Sequence, residues 1–192
     1  MEPDHADDAQ LISAHCAGDA QAFARLYDRY DRPCFLFIRR MLGAAHADAA
    51  EDLHQDTWIA VSKGAPSFDP HKAAFRTWLF TIARRKVLDH LRRQKVVFLS
   101  AGDDDAAMQV EDDAPTPVEQ VESRELAQRL ARAVEALPAE QRGAFVMFTL
   151  GELSLEEIAQ ATGVAVETAK SRLRYARTRL RQALAGERSA YV

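Results

Sequence analysis

Apolar positions recur three and four residues apart over most of the chain, the spacing that gathers them on one face of a helix. No stretch shows the period of two that a half-buried strand needs. The pattern predicts a first helix over residues 9–17, ended by Gly18. Asp19 then opens a second helix, because a carboxylate there can accept from the free N–H groups of the first turn. Phe23, Leu26, Tyr27 and Tyr30 give that helix its apolar face. Pro33 falls inside the pattern and predicts a kink or a split, since its ring clashes with the preceding turn and it has no N–H. The apolar run resumes over residues 34–38, continues to Leu42 and stops at Gly43. A third helix is predicted from Asp48 to about Lys63, followed by a Gly- and Pro-containing loop over residues 64–70. A fourth carries Phe75, Trp78, Leu79, Ile82, Leu88 and Leu91 as one stripe, with its basic residues mostly off it.

Periodicity and bulk are both lost over residues 100–117. Acids, alanines and two prolines cannot bury enough surface to offset the entropy of ordering, so this stretch reads as a flexible linker. Thr116, Pro117 and Glu119 then form a helix start, with a cap, a first-turn proline and an acid three residues on. Leu126, Leu130, Val134 and Leu137 are the expected buried face of the helix that follows, and Pro138 ends it. The predicted fold is all-α: two small helical domains, residues 8–98 and 117–186, joined by an acidic linker over 99–116.

The clearest local signal lies near the C-terminus. A helix carrying Phe145, Val146, Phe148 and Leu150 is ended by Gly151. Ser154 and Glu157 then have capping-box spacing, with Ile158 and Ala159 facing inward. Gly163 supplies a turn residue free to take positive φ. A further helix begins at about Val166 and buries Ala169, Leu173, Ala176 and Leu180. A capped helix, a short Gly-containing turn and a second helix make a helix-turn-helix, whose second helix enters the major groove of duplex DNA by its early residues. Thr168, Lys170, Ser171, Arg172, Arg174 and Tyr175 are the expected outward residues there. Arg can bond guanine at two points, while Arg177 and Arg179 further along are placed for phosphate.

Charge sharpens this picture. The 192 residues carry a net charge of −4, which alone argues against a nucleic-acid partner. Its distribution argues for one: Arg76, Arg84, Arg85, Lys86, Arg92, Arg93 and Lys95 face Asp89 alone, and the last predicted helix is equally basic. Between these patches, residues 99–123 hold acids but no Lys or Arg.

Other classes are excluded in turn. The apolar runs are too short to span a bilayer, and the acidic first ten residues lack the features of a secretion signal, so a cytoplasmic protein is expected. Cys16 and Cys34 cannot build a disulfide framework or a four-ligand zinc site, and both are expected to be packed rather than reactive. The six histidines show no metal-ligand spacing, and His54 and His90 are expected at the surface or its boundary. No phosphate loop, nucleophile elbow or dinucleotide fingerprint occurs, so neither an enzyme nor a cofactor is expected.

Leu153 to Ala159 together with Thr168 to Leu173 resembles the domain of extracytoplasmic-function sigma factors that recognises the −35 promoter element. Asp52-Leu53-His54-Gln55-Asp56-Thr57-Trp58 resembles their polymerase-binding helix, and residues 75–84 resemble the helix that opens and reads the −10 element. The three motifs stand in the family's order. The resemblance implies a transcription initiation factor that binds core RNA polymerase, at the clamp helices of its largest subunit and at its flap, and promoter DNA, under the control of an anti-sigma factor. It assigns Asp52, Gln55 and Asp56 to the polymerase; Phe68, Arg76, Arg84, Arg85, Lys86, Arg92 and Arg93 to the −10 element; and Thr168, Lys170, Ser171, Arg172, Arg174, Tyr175, Arg177 and Arg179 to the −35 element. Arg85 departs from the asparagine that members often carry there. By the same analogy the acidic linker threads toward the polymerase active-site channel, where its charge would mimic nucleic acid. The competing reading is a stand-alone helix-turn-helix regulator of duplex operator DNA, which would leave the basic, aromatic fourth helix without a use.

Overall fold

The computed structural model describes residues 5–98 and 119–186, with side chains described over residues 8–94 and 127–185. Every regular element among them is helical: α1 (His5–Cys16), α2 (Ala20–Leu42), α3 (Ala50–Gly64), α4 (Phe75–Phe98), α5 (Glu119–Glu135), α6 (Ala139–Thr149), α7 (Leu155–Thr162) and α8 (Val166–Gly186), with short 3-10 segments before and after α3. The linker expected over 99–116 and the cap expected at Thr116 lie outside the described residues.

Local signals act as their chemistry requires. Asp19 accepts from the backbone N–H groups of Gln21 and Ala22 and so starts α2. Ser154 and Glu157 form the reciprocal capping box of α7, and Gly163 ends that helix at φ 67, ψ 36, a left-handed conformation that costs glycine little. Pro33 does not split the helix, because α2 runs through it without a break. The helix loses one backbone bond there, yet Tyr30, Cys34, Phe37 and Ile38 on either side are buried in one core and hold it together. The third helix also starts later than expected, since the chain after Asp48 is still in a 3-10 turn that leads into α3 at Ala50.

In the N-terminal half, α1 to α4 pack around Leu26, Phe37, Ile38, Met41, Val61, Phe75, Leu79, Phe80 and Val87. The buried stripe of α4 is therefore Phe75, Leu79, Phe80, Ala83 and Val87, while Trp78 and Ile82 lie half-buried beside it and Leu88 and Leu91 are only half-buried. Gly64 makes room for Trp78, because a Cβ there would stand 3.1 Å from the indole ring. At the N-terminus a buried polar contact does the fastening: Asp8 is fully buried and accepts hydrogen bonds from Arg29 and from the Tyr30 hydroxyl on α2.

In the C-terminal half, α5, α6 and α7 all pack on α8. Ala169, Leu173, Ala176 and Leu180 form the buried side of α8 against Val146, Met147 and Ile158. One expected core position is corrected: Leu130 is 39% exposed, while Val134 and Leu137 are buried as expected, and Leu126 lies outside the residues whose side chains are described. Phe148 is 37% exposed, its ring lying under the Arg177 guanidinium at 4.7 Å. The two domains pack against each other: α6 and α5 lie on α2, α7 lies on α4, and one cluster of buried side chains is continuous across the contact.

Candidate nucleic-acid and polymerase interfaces

Three surfaces follow from this packing. The first is the solvent face of α3. Leu53, Thr57, Trp58 and Val61 point into the core, which leaves Asp52, Gln55 and Asp56 exposed outside, joined by Ile59 at 44% exposure. Asp52 and Asp56, four residues apart, share one helix face. His54 lies deeper than the boundary position expected of it. It is buried beneath Phe35 and Tyr27, with Nε2 3.0 Å from the Trp58 indole nitrogen and 3.2 Å from an Asp31 carboxylate oxygen.

The second surface is α4 and the loop before it. Its basic residues divide into two sets. Arg85, Arg92 and Arg93 are exposed, the first two within 3.8 Å and 3.3 Å of Asp89, and Lys86 stands 3.4 Å from Asp56 on α3. Arg85, Lys86 and Arg93, with Trp78, Ile82 and Gly64, line a shallow open pocket between α3 and α4. Phe68 is half-buried, its ring 5.1 Å from that of Trp78 and 6.1 Å from that of Phe75, so the loop wall is held by aromatic packing.

Arg76 and Arg84 form the other set, and the C-terminal half covers them. Arg76 lies 3.4 Å from Glu152 and 3.7 Å from Glu157, and its side chain is only 12% exposed. Arg84 Nη2 lies 3.3 Å from Glu140 Oε2, with 16% of its side chain exposed. Thr77, buried between them, donates its hydroxyl proton to Glu157 at 2.6 Å, and the Gln160 amide donates to the Lys72 carbonyl at 2.6 Å. Burial pushes the Glu157 carboxyl up, but hydrogen bonds from Thr77 and from the Ser154 backbone, with the Arg76 charge, leave it below its ordinary value. Glu140, Glu152 and the second role of Glu157 carry no sequence signature. Capping-box spacing explains Glu157 locally, and nothing in the pattern says what its carboxylate touches across the fold.

The third surface is α8. The Gly163 turn sets it across α7, and burial of its apolar stripe turns Thr168, Lys170, Arg174, Tyr175, Arg177 and Arg179 to solvent. Lys170 pairs with Glu167 at 3.4 Å, and Arg174 lies over the Tyr175 ring at 5.1 Å. Ser171 is half-buried. Arg172 departs from the outward placement expected of it, at 24% exposure and 3.0 Å from Glu140, a contact of charges rather than an aligned hydrogen bond.

Among the described residues no cluster of His, Cys, Asp and Glu is arranged to hold a metal ion, and no helix is long and apolar enough to cross a membrane. Cys34 is buried, which pushes its thiol up to about 12, whereas Cys16, the last residue of α1, is exposed, contrary to expectation.

Comparison with known proteins agrees with this arrangement. Residues 26–96 match the Sigma-70 region 2 family and residues 127–180 match the Sigma-70 region 4 family. The chain is 35% identical to the ECF RNA polymerase sigma factor SigM of Mycobacterium tuberculosis, over 92% of this chain and 84% of that protein. It is 34% identical to the ECF RNA polymerase sigma factor RpoE of Cereibacter sphaeroides, over 85% and 87% of the two chains. In fold it is similar to the sigma factor RpoE of Bartonella quintana, solved with the anti-sigma factor NepR, with a TM-score of 0.73 and 24% identity over 86% of this chain and 98% of that one. The helices, their order and these relatives agree: the chain belongs to the ECF sigma factors of RNA polymerase.

Proposed function

We propose that this protein binds core RNA polymerase through the outer face of α3, by Asp52, Gln55 and Asp56, and carries it to promoters whose two elements are read by its two halves. Residues 8–98 act on the −10 element and residues 117–186 on the −35 element, with 99–116 as the tether. In α4 and its loop, Phe68, Arg76, Arg84, Arg85, Lys86, Arg92 and Arg93 hold the separated strands, since single strands are bound by cationic grooves with aromatic walls. In α8, Thr168, Lys170, Ser171, Arg172, Arg174 and Tyr175 meet base edges while Arg177 and Arg179 meet phosphate. The protein is not an enzyme; it acts in the cytoplasm, where the polymerase is, and an anti-sigma factor is its regulatory partner.

The observation that carries this reading is the aspect of α8: directly after the capped α7 and its Gly163 turn, Thr168, Lys170, Arg174 and Tyr175 are all exposed, away from the buried stripe. Either DNA half-contact is modest alone, and the polymerase that holds both halves raises the effective concentration of the second. Run-off transcription with purified core enzyme and a pool of promoters tests it. Promoter-specific transcripts that require this chain are expected. Tight binding to a duplex operator in the absence of core enzyme, with no transcript in its presence, would replace it by the stand-alone regulator.

A further inference from the structure

One ring nitrogen of His54 is claimed by two groups with opposite needs. The Trp58 indole N–H donates to His54 Nε2 at 3.0 Å, which requires a lone pair on that nitrogen. An Asp31 carboxylate oxygen lies 3.2 Å from the same Nε2, and a carboxylate at that distance favours a proton there. One nitrogen cannot serve both. The neutral ring, with its proton on the other nitrogen, satisfies Trp58 and turns a lone pair on Asp31; the charged ring donates to Asp31 and leaves the indole N–H without an acceptor. Such a loss is costly here, because Trp58 is 5% exposed and the His54 side chain 11%. The groups facing the ring are few. From α2 come the Phe35 ring and Asp31, with the Tyr27 hydroxyl and the Cys34 thiol beside that carboxylate, and α3 itself supplies Trp58. Hydrogen bonding to Asp31 raises the Tyr27 phenol above its ordinary value, and burial does the same for the Cys34 thiol, so both stay neutral and Asp31 brings the charge.

We infer that His54 is a positioning residue for polymerase docking, and that the proton on Nε2 decides whether it fixes Trp58 within α3 or is drawn to Asp31 on α2. The inference rests on the assignment of Asp52, Gln55 and Asp56 to polymerase. His54 lies inside that motif, buried where those three are exposed. The neutral ring fixes Trp58, whose turn of helix carries Gln55, Asp56 and Ile59 on the outer face. The charged ring releases the indole and puts a positive charge within about one turn of Asp52 and Asp56, against the complementarity by which an acidic face finds a cationic partner. Both changes act in one direction: acid weakens docking, and loss of the proton restores it. Because one proton is exchanged, affinity for core enzyme changes by no more than about tenfold per pH unit.

The test uses the full chain as wild type, His54→Gln and Asp31→Asn. A glutamine side chain offers an acceptor to Trp58 and a donor to Asp31 on separate atoms, so it keeps both bonds and does not titrate. Competition for core enzyme against an unrelated sigma factor reads docking from about pH 8 to about pH 6, within the range where imidazoles change charge. The wild type should lose affinity on the order of fivefold toward the acid end relative to His54→Gln, on the same core preparation, so that titration of the polymerase cancels. Asp31→Asn should move that loss to lower pH, since the charged ring is less favoured without the carboxylate. Proton–nitrogen NMR of the isotopically labelled free chain reads the atoms themselves. The Trp58 indole resonance, identified by its absence in Trp58→Phe, should shift together with the His54 ring nitrogens, at constant helix content by circular dichroism. Parallel pH profiles for wild type and His54→Gln, or an indole resonance that does not follow His54, overturn the inference. Should His54→Gln not fold, a wild-type profile left unmoved by Asp31→Asn overturns it equally. A chain that binds core without this pH dependence loses only the role of His54, and one that binds no core at any pH loses the polymerase assignment and this inference with it.

Discussion

The Lys86 ammonium on α4 stands 3.4 Å from the Asp56 carboxylate on α3. A residue proposed for promoter DNA and a residue proposed for polymerase thus neutralise each other in the free chain. The pair itself contributes little to folding, since Asp56 is 57% and Lys86 35% exposed in their side chains and solvent screens them.

Asp56→Ala should therefore weaken core binding while shifting stability by no more than roughly 1 kcal/mol. Competition for core enzyme against an unrelated sigma factor, with a urea melt alongside, reads both. A large loss of stability with unchanged core binding would assign Asp56 to the fold instead.

Asp8 should behave in the opposite way. It is fully buried and accepts from Arg29 and Tyr30, and burial together with its hydrogen bond raises the Tyr30 hydroxyl well above the ordinary phenol range, so that group stays a donor. Asp8→Ala leaves the Tyr30 donor facing a dry site and should cost about 1.5–3 kcal/mol in urea unfolding, the range for hydrogen bonds to charged groups. Promoter choice in run-off transcription should not change.

Glu157 predicts an acid limit for the packing of α7 on α4. Its folded pKa lies below the ordinary 4.5, so its contribution is fully present above that value and is lost as pH falls through the lowered one. Scattering at fixed ionic strength should report expansion only on the acid side of pH 4.5, and Thr77→Val should move that expansion to higher pH. Ser154→Ala tests the same carboxylate from its other side and should cost the C-terminal half about 1 kcal/mol through the lost cap.

On α8 the exposed positions separate reading from gripping. Arg174→Ala should alter −35 preference by about 1–3 kcal/mol at one base pair, while Arg179→Ala should weaken all promoters alike and lower the salt dependence. Binding to a panel of single-base −35 variants measures both. An unchanged preference in Arg174→Ala would mean that α8 meets the groove by another face.

Sequence alone determined what is local. Helical spacing, the Asp19 cap, the Ser154–Glu157 box and the Gly163 turn depend on residues a few positions apart, whose chemistry acts before any tertiary contact forms. The order of the three motifs, and with it the family, was legible for the same reason. Pro33 shows where this ends: a local rule allowed a kink or a split, and with Tyr30, Cys34 and Phe37 buried on both sides the helix is not split. Only the tertiary structure decided which cations are free. Arg76 and Arg85 look alike in sequence, yet one is held by two glutamates from the far half and the other is exposed at 86% of its side chain. The Thr77–Glu157 and Arg84–Glu140 contacts span 80 and 56 residues of chain, and no periodicity records which distant carboxylate a helix will meet. Charge pairing at that range is set by how apolar faces dock, and the charges then settle where the docking leaves them.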